Sequence, residues 1–203
     1  MKQKLIKLKT IIIPSNITTY LIIGLIILGV IAGSIFFITI NKNDKDTATN
    51  EIINFYQNIK NINHGQTLKS SFTISIFYLL GILILSLTII GLPFLIFLIF
   101  FKGFILGFCI STIISAYHYK GILYSFLYLF PHELIKLFSI ILTSIYGITL
   151  SIKLIKLIFT KTKVNYKLYL KRYGIIMIIS VFLTSLAILY ETYMYPIILK
   201  SVI

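Results

Sequence analysis

Residues 91–133 read GLPFLIFLIFFKGFILGFCISTIISAYHYKGILYSFLYLFPHE. The stretch is almost wholly apolar, yet it carries Lys102, a ladder of small residues (Gly103, Gly107, Ser111 and Ser115), and the triplet Pro131-His132-Glu133. An apolar filler helix needs none of these, so they are the places where the layout of the chain is decided.

Outward from this stretch the composition keeps the same character. The chain of 203 residues is 58% hydrophobic and 12% charged, with mean hydropathy +1.00. A soluble domain of that size leaves much of its surface in water and cannot bury so large an apolar share. Apolar runs of roughly 20 residues, each enough to cross a ~30 Å hydrocarbon core, recur along the whole length. The expected fold is an all-α polytopic membrane protein, a single membrane domain over 1–203 with about five transmembrane helices. The net charge of +14 does not point to nucleic acid, because the basic residues flank apolar segments instead of forming a stripe interleaved with aromatics. They read as topology signals, and membrane lipid is the expected surrounding partner.

Residues 1–17 hold Lys2, Lys4, Lys7 and Lys9 without an acid and are expected in the cytoplasm. A first span follows over Thr18–Ile40, too long for a signal-peptide core. Residues 41–69 hold three of the five acids and read as the extracytoplasmic loop, with an amphipathic helix expected over Glu51–Asn63. A second span over Phe72–Ile90 and a third over Phe94–Ala116 leave only Gly91-Leu92-Pro93 between them, so a tight hairpin is predicted there. Ile122–Phe130 is too short to cross and Pro131 breaks it. The reading is a re-entrant or broken fourth segment with its joint at Pro131 and His132, completed by Leu134–Phe159. Residues 160–172 are strongly basic and expected in the cytoplasm, and Tyr173–Leu199 takes the C-terminus out again.

Lys102 stands nine residues beyond Pro93, ~13 Å into the hydrocarbon at 1.5 Å per residue. An unpaired ammonium there costs roughly 3 kcal/mol on insertion scales. Gly103, Gly107 and Ser111 at spacing four mark a face for close helix contact, and Lys102 adjoins it. Glu133 and Glu191 are the intramembrane acids available to it. Mutual neutralisation explains why such charges are tolerated, and it is preferred over a proton or ion pathway; which acid Lys102 meets is left open. No G-x-S-x-G, H-E-x-x-H or phosphate-binding glycine loop occurs, and neither Cys109 nor the isolated His64 has a ligand frame around it. No catalytic residue, metal or cofactor is expected.

The succession GLPFLIFLIFFKGFILGF (91–108), YKGILYSFLYLFPHELI (119–135) and SIKLIKLIF (151–159) resembles the stage II sporulation protein M family. That family often has Pro-His-Gly with a glutamate a few residues on, whereas here Glu133 follows His132 directly and Lys136 takes the later position. Carried over by position, Gly91 and Pro93 form the hairpin, Lys102, Gly103 and Gly107 the packed third helix, and Pro131 and His132 the joint. The resemblance implies a non-enzymatic scaffold for forespore engulfment in the septal and engulfing membrane of the mother cell, holding the peptidoglycan-cleaving stage II sporulation proteins D and P. A homo-oligomer is left open. The alternative is a small transporter or permease subunit, supported by the broken fourth segment and the buried charges.

Overall fold

In hydrocarbon a helix is the local structure that satisfies every backbone polar group within its own segment, and the apolar runs fold accordingly. The computed structural model describes residues 16–57, 63–128, 130–159 and 166–194. The basic lead through residue 15, residues 58–62, residue 129, residues 160–165 of the expected basic loop, and the tail from 195 lie outside the described residues. In chain order the helices are α1 (Asn16–Thr39), α2 (Lys42–Gln57), α3 (His64–Ser86), α4 (Gly91–Tyr117), α5 (Tyr119–Tyr128), α6 (Phe130–Phe159) and α7 (Tyr166–Leu189). A π-helical turn, Tyr190–Met194, extends α7. Five elements (α1, α3, α4, α6, and α7 with its π turn) are long and apolar enough to cross a membrane, so the chain is a multi-pass membrane protein.

Several expected boundaries move, each for a local reason. The span expected from Phe72 begins at His64, because the Asn63 side chain accepts from the amides of Gly65 and Gln66 and starts the helix inside the polar loop. The amphipathic helix expected from Glu51 begins already at Lys42, with Asp44 favourably placed in its first turn, and its expected part at 58–62 lies outside the described residues. The tight turn is Leu87–Ile90, not Gly91–Pro93. Gly91-Leu92-Pro93 instead forms the first turn of α4, where proline's missing N–H has no helical partner to lose. Gly91 is needed there because a Cβ would run into the Leu85 carbonyl. The residues Tyr166–Arg172, expected in a loop, are the first turns of α7.

The fourth segment is a broken span. His118, at φ 50, ends α4 in the left-handed region and turns the chain back on itself. Gly121 then packs on the backbone of Ile113 and Ile114, and twelve residues further on Glu133 meets Lys102, eleven residues back from Ile113. Equal steps forward along α5 and α6 and backward along α4 mean that α5 and α6 together run antiparallel to α4. Residue 129, between α5 and α6, lies outside the described residues, and Pro131 falls in the first turn of α6.

Two seams bind the spans. α1 and α4 run parallel, with Gly29 and Gly33 against the backbone of Phe100, Phe104 and Phe108, and Gly103 and Gly107 against that of Ile26 and Val30. Ser34 donates to the Gly107 carbonyl at 3.3 Å. Reciprocal glycines at spacing four let two backbones touch, which gives the dispersion contact that association in lipid depends on. The small ladder of α4 is thus occupied by α1 itself. The antiparallel pair α6 and α7 is tied by hydroxyls: Ser139 Oγ donates to the Ser180 carbonyl at 2.7 Å, Thr143 to Ser180 Oγ at 2.8 Å, and Thr184 to Ser139 Oγ at 3.0 Å.

Ser86, fully buried beside the α3–α4 turn, joins α3 to this pair. It accepts from Ser151 through its carbonyl and from the Tyr173 hydroxyl through its Oγ. That end of the bundle, with the turn Leu87–Ile90, is called the hairpin end below; α2 and α5 lie at the far end. There Tyr56 of α2 stacks with Tyr117 and Tyr124 at 5.3 and 6.1 Å between ring centroids. Burial, aided by Tyr117 and Tyr124, pushes the Tyr56 hydroxyl well above the usual tyrosine range and keeps it protonated.

A valine at Gly107 or Gly33 should destabilise the bundle by about 2 kcal/mol, the middle of the range for overpacking. Alanine at Gly24 or Gly174, where an added Cβ meets nothing within 4 Å, should be close to neutral. Unfolding of the purified variants in mixed detergent micelles measures both.

Candidate functional site

The charges that composition makes conspicuous converge on one place. Pro131 occupies the second position of α6, and Glu133 falls in the first turn, where the positive end of the helix dipole favours a carboxylate. Lys102 of α4 reaches Glu133 Oε2 at 2.8 Å. One helical turn further along α6, Lys136 approaches Glu133 Oε1 at 3.3 Å and Glu191 Oε2 at 2.5 Å. Glu191 lies in the π-helical turn, and its other oxygen accepts from Ser71 of α3 at 3.1 Å. A single chain of alternating charge, Lys102–Glu133–Lys136–Glu191, therefore ends on a hydroxyl and links four spans.

Two lysines and two glutamates sum to zero, and none is more than one-fifth exposed at its side chain. Within hydrocarbon that neutrality removes most of the cost a single charge would carry. Neighbouring polar groups are also engaged. The π turn is held from α3 by His64, whose Nδ1 lies 3.0 Å from the Thr192 carbonyl, while its ring stacks on Tyr193. His132 is buried at 4% exposure on the same helix as Glu133. Beside the charges a cavity of about 50 Å³ is lined by Ser75 and Tyr78 of α3, Lys102, Lys136, Ile140 and Thr184. The Tyr78 hydroxyl donates to the Leu98 carbonyl at its edge. This space suits one or two waters and little more.

The structure thus settles the pairing left open by the sequence: Lys102 meets Glu133 and not Glu191. It adds Lys136, which sequence reading noted only as a departure from the family pattern. Its signal was present, since Lys136 stands three residues from Glu133 on a helix and had to share a face with it. Gly91 and Pro93 belong to the α4 start, Gly103 and Gly107 to the α1 seam, and Ser111 is half-buried further along α4. These packing residues do not join the charged chain, although Lys102 precedes Gly103 directly. Among the described residues no three metal-ligating side chains converge. The arrangement holds four helices in register.

Residues 21–196 match the family model described as stage II sporulation protein M. No curated protein matches the chain, and neither does any solved structure.

Removing one member of the chain leaves a partner uncompensated in a low-dielectric site. Lys136→Ala should therefore cost about 3 kcal/mol, at least as much as Lys102→Ala, because it releases Glu133 and Glu191 together. Replacing all four charges by leucine or methionine should recover most of that loss. Detergent unfolding of the single and quadruple variants checks the order; a quadruple variant weaker than either single one would overturn it.

Proposed function

The chain belongs to the stage II sporulation protein M family, a sporulation-related group of membrane proteins, and from that premise we propose that it is a non-enzymatic scaffold required for forespore engulfment. In this reading it resides in the septal and engulfing membrane of the mother cell. It recruits and anchors the peptidoglycan hydrolases, stage II sporulation proteins D and P. The family match across most of the length is the observation that carries the proposal.

The geometry supports it. The charges inside the bundle engage one another, and the hydroxyl seam ties α6 to α7, which makes a stiff frame more readily than a moving pathway. In this proposal the hairpin end, which carries Lys153, Lys156, Lys167, Lys171 and Arg172 without an acid, faces the cytoplasm, and the far end, where Lys42, Lys45, Lys69 and Lys120 are mixed with acids, faces the compartment where wall is cleaved. The far end carries the exposed acids Asp44, Asp46 and Glu51 of α2, with exposed Phe55 and Tyr119 beside them. That surface is the docking face in this proposal. The α4 small-residue face, already covered by α1, does not take a partner's anchor. A transporter reading has the intramembrane charges in its favour, but a cavity of about 50 Å³ is far below the roughly 300 Å³ at which ligand sites begin.

From cells entering engulfment, the tagged full-length chain should co-purify with both hydrolases. Asp44→Asn combined with Glu51→Gln and Tyr119→Ser should lower that recovery several-fold at unchanged membrane abundance. Deletion should arrest engulfment; intact engulfment with altered uptake of a solute would sink the scaffold reading in favour of transport.

A further inference from the structure

The hairpin end poses a charge problem that the chain does not solve for itself. All five acidic residues are accounted for elsewhere: Asp44, Asp46 and Glu51 on α2 at the far end, Glu133 and Glu191 in the intramembrane chain. Yet the end of α6 and the start of α7 carry Lys153, Lys156, Lys167, Lys171 and Arg172. Two of these are gathered on one aromatic ring. Lys153 Nζ lies 5.4 Å from the ring centroid of Tyr169, and Arg172 Cζ lies 5.7 Å from the same centroid. The two cations are thus within about 11 Å of each other, close to a Debye length, with no carboxylate available to separate them.

Arg172 presents a second anomaly. Its Nε is buried and meets no acceptor among the described residues. A buried guanidinium N–H without an acceptor is uncommon, and with Nε enclosed by protein an incoming anion would have to be met by the terminal nitrogens. Lys153, Tyr169 and Arg172 are each half-buried, unlike the exposed Lys167 and Lys171, so the three form a compact cluster across two helices and not a diffuse patch. The level is also fitting. Tyr173, next to Arg172, donates to Ser86 beside the turn Leu87–Ile90, where the spans end. Exposed apolar side chains, Ile152 and Leu170, directly flank Lys153 and Tyr169.

We infer that Lys153, Tyr169 and Arg172 form a site for the phosphate of an anionic phospholipid, with the acyl chains lying on Ile152 and Leu170. Arg172 supplies the paired N–H donors of its terminal nitrogens to the phosphate oxygens, Lys153 a second charge, and the tyrosine ring holds both cations in place when the site is empty. Basic pockets between spans take such headgroups, and a cation in direct contact with the headgroup, worth about 1 kcal/mol, strengthens its retention roughly five-fold. The apolar flanks single out a lipid over free phosphate, which would gain nothing from them.

The test uses the full chain in nanodiscs of phosphatidylcholine with and without phosphatidylglycerol, with retained lipid counted by native mass spectrometry. Phosphatidylglycerol should be retained at least five-fold over phosphatidylcholine. Arg172→Gln and Lys153→Gln should each reduce that preference about five-fold. Tyr169→Leu, which keeps both charges, should reduce it as well. Lys167→Gln and Lys171→Gln should leave it unchanged. Arg172→Lys, with unfolding followed alongside, keeps the test valid if the glutamine variant does not fold, and should retain only part of the preference because the paired N–H donors are lost. Equal losses on neutralising Lys167 or Lys171 would reduce the site to a diffuse positive surface and overturn the inference. So would competition by inorganic phosphate as effective as that by the lipid.

Discussion

A charge alone in hydrocarbon is rejected, and the architecture follows from how this chain avoids that state. Lys102, Glu133, Lys136 and Glu191 come from three different segments and are tolerated only as a set. For the set to form, α4 and α6 must run side by side in one register, and α7 must end where Glu191 can reach back to Lys136. The π-helical turn, with one residue more per turn than an α-helix would use, fits that last requirement by carrying Glu191 around to face α6 and α3. The fold's polar interior is therefore a constraint on register, with apolar packing filling the space the register leaves.

Much of this was legible in the residues. Hydropathy marked the five spans, and Gly103 and Gly107 announced a close helix contact. What sequence alone left undetermined was who meets whom. That Gly29 and Gly33 pack beside Gly103 and Gly107, some seventy residues on, depends on a parallel approach of two helices that are far apart in the chain. Nothing local encodes it. The role of Lys136 is not legible from local context, because a lysine just after Glu133 has the pattern of a span's flank, whereas its bond to Glu191 depends on the packing of a distant helix.

Proline misled in a specific way. By sequence Pro131 and Pro93 both read as interruptions, which is proline's effect in a helix interior. Both instead sit in the first turn of a long helix, where the missing N–H has no partner to lose and the fixed φ favours entry. The turn between α3 and α4 falls earlier, at Leu87–Ile90, and the chain reverses at His118 with no proline at all. The same logic moved the start of α3 into the polar loop, since Asn63 supplies the cap that apolar periodicity cannot reveal.

The glycine seam between α1 and α4 bears on how the protein is made. At about 5–20 residues per second, Gly103 leaves the ribosome on the order of ten seconds after Gly33. During that interval the first helix sits in the bilayer with its two glycine notches facing lipid, unable to close on anything the chain has yet produced. Insertion and assembly are therefore separate events here, and the nascent first helix must be kept near the translocation site until its mate arrives. Its glycines, which serve tight packing at the end, are in the meantime an open binding face, and the order of synthesis makes that vulnerable interval an unavoidable part of the molecule's life.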